Sequence, residues 1–334
     1  MKKYLLMIVL LLSVAVVGCN SGKKDNEYAK FNLRLQWVPQ AQFAGYIVAK
    51  EKGYYEEEGL DIDIRAAGPD LKPHITVANG TDDIGIGVPN QIITARSNGV
   101  PLTIIAQVFQ DSPNRYVIKK EESIDDLTDL KEMKVGLWLG GDEAEFISML
   151  NTVGMRLEDI DVIPQGFTVI PFLNGDYQVS QVTTYNELNV LASNGLSADK
   201  LQILSPSDYN SAIPGDMIFV KENTLVEKQA ELESFLRASK RGWEYAFHNP
   251  DETVNILMKY NSELDRDAQL MQLEAVQELI YPTTQSKFGF MEKGVYENTL
   301  RVLKLSGQIE SEVNIQEIFN SDLIDNINKS SSRK

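Results

Sequence analysis

Histidine and cysteine are nearly absent: 334 residues contain two histidines, His74 and His248, and a single cysteine, Cys19. One cysteine forms no intramolecular disulfide, and no His-x-x-His, His-Glu-x-x-His or cysteine array is present to hold zinc. Positive charge is also scarce. Asp and Glu number 48 against 32 Lys and Arg, a net charge of −16, and such a surface repels phosphate backbones and argues against nucleic acid as a partner. The glycine-rich phosphate loops are missing too, since Gly85-Ile86-Gly87 is only a fragment of a dinucleotide fingerprint. A metal site built from carboxylates alone stays open, but so many acids are more economically a solvated surface.

One long apolar run exists. It covers residues 4–17, follows Lys2-Lys3 and ends at Gly18-Cys19. A permanent membrane span needs about 20 apolar residues, so this run reads as a processed export signal. Val16-Val17-Gly18-Cys19 resembles the lipobox of bacterial lipoproteins, which implies cleavage before Cys19 and a diacylglyceryl group on its sulfur. Two or more acyl chains anchor durably where one does not. The alternative is an ordinary export signal with an incidental cysteine. Residues 1–18 are expected as signal peptide and 19–30 as a lipidated tether, because residues 20–27 have almost nothing to bury. The expected location is the extracytoplasmic face of a cell membrane.

From there the chain alternates strand and helix. Leu33-Arg34-Leu35-Gln36-Trp37 alternates as a strand and stops at Pro39, residues 41–52 carry helical spacing, and Leu60-Asp61-Ile62-Asp63-Ile64 alternates again. Strand, helix, strand within this span marks a parallel unit. The pattern recurs through residues 102–109, starts a second set after 116–119, and returns with Met217-Ile218-Phe219-Val220. Helices then dominate, including 228–248 and 289–306, and the last residues from Asn328 read as frayed. The ordering predicts an α/β protein of two lobes with a central cleft and two hinge crossings. Lobe I is expected from 31–117 plus 213–326 and lobe II from 118–212.

In parallel α/β folds the ends of strands open into the binding crevice. Trp37, with Gln40 and Gln42 after it, would stack a flat ligand and read its edge, although a core tryptophan beside a solvated turn fits the same residues. Tyr46 follows on the first helix. Asn90 and Gln110 stand at later strand ends, where capping or turn duty competes with ligand contact. Trp138, Gly140 and Gly141 form a turn that lets backbone approach a ligand, while Asp142 would cap the next helix. Tyr185, Asn186 and Glu187 combine a flat face with amide and carboxylate. Together they describe an aromatic slot with mostly neutral hydrogen-bonding groups, suited to a planar heteroaromatic ligand. A strongly anionic ligand would need converging cations, and only Arg115 is conveniently placed.

These residues carry a resemblance to the THI5/NMT1-like substrate-binding proteins of bacterial ABC transporters. It rests on the run from Leu35 to Tyr46, on Lys52-Gly53-Tyr54-Tyr55, Glu58-Gly59-Leu60-Asp61, Ala78-Asn79-Gly80 and Ala106-Gln107-Val108-Phe109-Gln110, and on Val135 to Gly141, Gln165-Gly166-Phe167 and Thr184-Tyr185-Asn186-Glu187. The resemblance implies the periplasmic-binding-protein fold and a monomeric receptor that hands a small molecule to a permease with its own ATPase. It implies no cofactor, only a transported ligand: riboflavin first, because the Gln-Phe-Ala-Gly opening, the Trp-Leu-Gly-Gly turn and the Thr-Tyr-Asn-Glu segment look closest to that branch. Thiamine or its hydroxymethylpyrimidine-type precursor comes second. Related yeast folds that synthesise the thiamine pyrimidine use an active histidine and a cysteine-rich segment, and this chain has neither in the corresponding motifs. An exported enzyme acting on a heteroaromatic compound, and an adhesion or solute-sensing lipoprotein, are the competing classes.

Overall fold

The computed structural model describes residues 28–331. The export signal, the lipidation at Cys19 and nearly all of the tether lie outside the described residues. Ordered strand begins at Ala29, two residues before the expected start of the fold, because Ala29 already pairs with Leu60 and Phe31 is buried.

Among the described residues ten strands form two five-stranded sheets. Lobe I holds β1 (Ala29–Arg34), β2 (Leu60–Arg65), β3 (Ile84–Gly87), β4 (Leu102–Gln107) and β10 (Met217–Lys221), in the order β2-β1-β3-β10-β4. Lobe II holds β5 (Asn114–Lys119), β6 (Lys134–Leu137), β7 (Asp161–Pro164), β8 (Val179–Thr183) and β9 (Leu201–Leu204), in the order β7-β6-β8-β5-β9. β1 runs parallel to β2 and β3, and β6 runs parallel to β7 and β8. β10 and β5 are antiparallel to both neighbours. Each is the first strand laid down after the chain has crossed between lobes, so a reversed strand in each sheet is the trace of a double crossing. The architecture expected from the strand and helix pattern is therefore present: two open α/β lobes joined by residues 108–113 and 205–216.

Several local expectations are corrected. The first strand ends at Arg34, which leaves Gln36 and Trp37 in the loop beyond its carboxyl end, over the crevice. β5 spans the expected lobe boundary at 117/118, because Asn114 and Arg115 already pair with Thr183 and Val182. The helix expected over 289–306 begins only at Lys293. Gly289 instead turns with φ 69° and its carbonyl accepts from Gln107 N on β4. Asn328 is not frayed: it sits in the helix Asp322–Ser331, is buried, and donates from Nδ2 to the Phe288 carbonyl. That terminal stretch has a purpose, since β4 is an edge strand whose six residues are all buried. Phe319 bridges to Ile104, Asn320 N donates to the Ile104 carbonyl, and Leu323, Ile324 and Ile327 are buried behind them. An unpaired apolar edge is thereby covered.

Lobe I is anchored by the helix Ala44–Glu51 lying against the long helix Gln229–His248. The two backbones approach because each presents a glycine. A Cβ on Gly242 would lie 2.0 Å from the Gly45 carbonyl oxygen, and one on Gly45 would lie 2.2 Å from the Trp243 ring. Tyr46 belongs to this packing rather than to the cleft: it is 1% exposed, its ring 5.7 Å from Trp243 and 6.4 Å from Phe235. Overpacking a tight contact costs ~1–3 kcal/mol. Gly242→Ala is therefore expected to lower unfolding free energy in denaturant titration by about that amount, while ligand affinity, read at a temperature where the variant is folded, stays the same.

Candidate functional site

Between the lobes lies a cavity of about 310 Å³. Trp37 enters it from the loop after β1, and Phe167 and Trp138 enter from lobe II. The Trp37 ring is 4.8 Å from Phe167 at 50°, and Phe167 is 6.4 Å from Trp138 at 21°. Trp138 is held from two sides, by its backbone N–H to Gln181 Oε1 and its indole N–H to the Gly166 carbonyl. Phe167 is 59% exposed, so this aromatic group forms the mouth of the cleft and closes it by touching across the gap. Deeper in, Tyr185 is buried edge-on against Phe109, 5.8 Å away.

Four acids line the same space: Asp142, Glu145, Glu187 and Asp216. Burial pushes the Glu145 carboxyl up to about 7, against donors from Ile213 N and Asn114 Nδ2 that favour its charge. Burial likewise pushes Asp216 up to about 7, opposed by the Gln42 amide. Asp142 is raised by burial, with Lys72 pulling the other way. Asp216 has a backbone φ of 37°, a left-handed conformation that Asp and Asn tolerate better than most residues. Its carbonyl accepts from Val108 N, which pins the second crossing to the start of the first. Among the described residues no cluster of three or more His, Cys, Asp or Glu is arranged to hold a metal ion.

Of the residues expected to form the site, Trp37, Gln42, Asn90, Trp138, Gly141, Tyr185, Asn186 and Glu187 all line this one cavity. Tyr46, Gln110 and Gly140 are not among its lining residues. Gln110 holds a loop instead, donating from Nε2 to the carbonyls of Gln107 and Phe290. Gly140 is exposed on the turn, where φ 101° makes it a conformational requirement. Arg115 spends its guanidinium on the Ser112 and Asn114 carbonyls, and the cation lining the cleft is Lys72. Sequence reasoning missed Asp216, Glu145, Phe167, Gln36 and Lys72. Asp216 had a faint signal in Pro214-Gly215-Asp216 before a strand, and Phe167 stood in a segment already read as distinctive. Nothing in the sequence separated Glu145 from Asp142 and Glu143 just before its helix.

Gly141 also links the two lobes. Its φ of 120° turns its carbonyl toward lobe I, where it accepts from Asn90 Nδ2 at 3.0 Å and Gln308 Nε2 at 2.7 Å. One backbone oxygen in lobe II is thus clasped by two lobe I amides.

Two open α/β lobes, two crossings and a cavity between carboxyl ends of strands define the class of periplasmic binding proteins. The chain belongs to the NMT1/THI5-like family, whose model matches residues 40–253. It is 27% identical over 269 residues to the formylaminopyrimidine-binding protein of Halalkalibacterium halodurans, covering 79% of this chain and 81% of that one. It is 24% identical over 302 residues to the riboflavin-binding protein RibY of Chloroflexus aurantiacus, covering 87% of this chain and 85% of that one. The periplasmic aliphatic sulphonate binding protein SsuA of Escherichia coli superposes with a TM-score of 0.69 at 15% identity, over 87% of this chain and 92% of its own. That likeness is one of fold.

A neutral hydrogen bond contributes about 0.5–1.5 kcal/mol net. Replacing both Asn90 and Gln308 by alanine is therefore expected to shift the ligand-free population toward open lobes several-fold, read as a longer distance between spin labels placed on the two lobes. An unchanged distance distribution would mean that Gly141 is no latch.

Proposed function

We propose that this chain is the extracytoplasmic receptor of an ABC importer and takes up a planar, heteroaromatic, vitamin-type solute in the cleft. The observation that carries the reading is the convergence of Trp37, Phe167 and Trp138 from opposite lobes on one cavity that also holds Tyr185 and the amides of Gln36, Gln42, Asn90 and Asn186. Aromatic faces bind flat rings through dispersion and stacking, and amides read ring nitrogens and carbonyls at the edge. Lobe I would receive the ligand on Trp37 and Gln42, and closure would bring Trp138, Tyr185 and Glu187 over it. The differential contacts made on closure set how far the ligand shifts the open and closed populations.

Within that class, an amino-substituted pyrimidine fits this cleft better than riboflavin. Four acids and one cation make it rich in acceptors, and an aminopyrimidine offers N–H donors where the flavin dione edge offers mainly carbonyls. Relatives named for a formylaminopyrimidine and for riboflavin support the heteroaromatic class. The receptor works as a monomer anchored through Cys19 in this reading. A permease with its ATPase supplies the driving energy, so the receptor itself makes and breaks no covalent bond.

Trp37→Ala is expected to weaken binding of the preferred ligand at least about tenfold, the scale of one lost stacking contact of ~1.4 kcal/mol or more, with little change in melting temperature. Calorimetric titration of the aminopyrimidine, thiamine and riboflavin side by side makes the test. Unchanged affinity would remove Trp37 from the site, and turnover of any of the three by the purified protein would move the chain to an enzyme class.

A further inference from the structure

The four acids of the cleft are not equivalent. Glu145 accepts from Ile213 N at 2.6 Å and Asn114 Nδ2 at 2.7 Å, one donor for each oxygen. Glu187 accepts from Thr183 N, Thr183 Oγ1 and Asn186 Nδ2. Asp142 has Lys72 and the amides of Asn90 and Gln91 around it. Asp216 differs. Both its oxygens accept from Gln42 Nε2, at 3.1 and 3.0 Å, its own backbone N–H is the other donor, and it is in no ion pair among the described residues. A carboxylate has about four lone-pair sites, so Asp216 keeps acceptor capacity in the cavity it lines, while only 3% exposed.

The orientation of Gln42 is itself fixed. Gln40 Nε2 donates to Gln42 Oε1 at 2.8 Å, which leaves the Gln42 NH₂ for Asp216, and Gln42 N donates to Gln272 Oε1 at 3.1 Å. A second acceptor is nearby. Gln36 Oε1 is buried without a hydrogen-bond donor and lies against Gly87, the ladder partner of Met217, which follows Asp216. Unsatisfied buried acceptors are costly, and a ligand N–H recovers that cost.

We infer that Asp216, oriented by Gln42, is the specificity-determining group of the cleft and reads the amidine-like edge of an amino-substituted N-heteroaromatic ring, sharing one proton with the ring nitrogen. The assignment rests on the receptor reading above and names the chemistry of its selection. An amidine edge places an exocyclic N–H beside a ring nitrogen. Facing a carboxyl group, it forms two parallel hydrogen bonds when one proton lies between Asp216 and that nitrogen: the acid donates to a neutral ring, or the protonated ring donates to the carboxylate. The atoms are the same in both descriptions. A flavin dione edge presents one N–H between two carbonyls, which oppose the lone pairs of Asp216 once it is ionised and, unlike a basic ring nitrogen, hold no shared proton there.

Burial holds the Asp216 carboxyl near 7, so below that pH the shared proton is already present, and above it binding must take one up. The ionisable groups facing Asp216 are the phenols of Tyr46 and Tyr185, both raised by burial and so neutral in this range. Asp142, Glu145, Glu187 and Lys72 line the remaining walls.

The test is calorimetric titration of the full chain with 4-amino-5-hydroxymethyl-2-methylpyrimidine and with riboflavin between about pH 6 and 9. The wild-type affinity for the pyrimidine is expected to fall above pH 7, approaching about tenfold per pH unit. Asp216→Asn, whose amide still donates to the ring nitrogen and accepts from the exocyclic N–H, should keep the pyrimidine affinity at pH 6 within about tenfold and flatten the pH dependence, while leaving the riboflavin affinity unchanged or improved. Asparagine suits the left-handed backbone, and a melting curve checks the fold. Gln42→Leu, which frees Asp216 without removing it, should weaken the pyrimidine yet keep the pH slope. An Asp216→Asn protein with wild-type pyrimidine affinity and slope overturns the assignment and leaves the receptor reading intact. Riboflavin bound more tightly than the pyrimidine by the wild type does the same, whereas a wild type that binds neither compound overturns both.

Discussion

A buried carboxylate ties the two crossings together, and the geometry of the cleft depends on it. Glu145 projects from the helix Ala144–Asn151 of lobe II, and its two oxygens accept from Asn114 at the end of the first crossing and from Ile213 in the second. The return crossing is gripped from the other side as well. Ser211 Oγ donates to Ser148 Oγ, while Asn298 and Arg301 of the lobe I helix Lys293–Leu305 donate to the carbonyls of Ala212 and Asn210. Two covalent links with a common hydrogen-bonded knot confine relative motion of the lobes to bending about that knot. Asp216 lies three residues past Ile213, so the knot also fixes where the unspent carboxylate of the cleft stands.

From this constraint the rest of the site follows in layers. Near the knot the cleft is acidic and buried, with Asp216, Glu145 and the edge of Tyr185. At the mouth it is aromatic, with Trp37 meeting Phe167 and Trp138 across the gap. Beside the mouth, Gly141 offers its carbonyl to two amides of lobe I. Floor, lid and clasp are therefore separate pieces, and each draws residues from both lobes, which in the proposed receptor would couple ligand contact to closure. The sulphonate receptor with the same fold makes the complementary point that fold carries no ligand with it. In the proposed receptor, selection would reside in which side chains stand at the strand ends.

Much of this was legible in the residues. Alternating and buried apolar runs marked nearly every strand, although the first ends at Arg34, short of the breaker Pro39. Trp37, Trp138 and Tyr185 stood at strand ends, where a parallel sheet exposes them to its crevice. Tyr46 was misjudged because helical spacing alone does not say which face of the first helix turns inward, and Gly45 draws that face onto Trp243. Gln110 was misjudged because an amide at a strand end serves a loop as readily as a ligand. Glu145 was illegible, and Asp216 nearly so, for a physical reason: little that is local distinguishes a solvated acid from one buried by residues more than 60 positions away, as Glu145 is by Ile213. The clasp on Gly141 depends on Gln308, 167 residues downstream, and is equally tertiary.

The central claim is that a flat, nitrogen-bearing ring sits between the lobes with its edge on Asp216 and its face on the aromatic mouth. A crystal structure of the protein grown with the aminopyrimidine tests it most directly. The account predicts density for one ring in the cleft, stacked on Trp37 or Phe167, with a nitrogen within hydrogen-bond distance of an Asp216 oxygen. A ring bound outside the cleft, or bound inside it with Asp216 still turned only to Gln42, would contradict it.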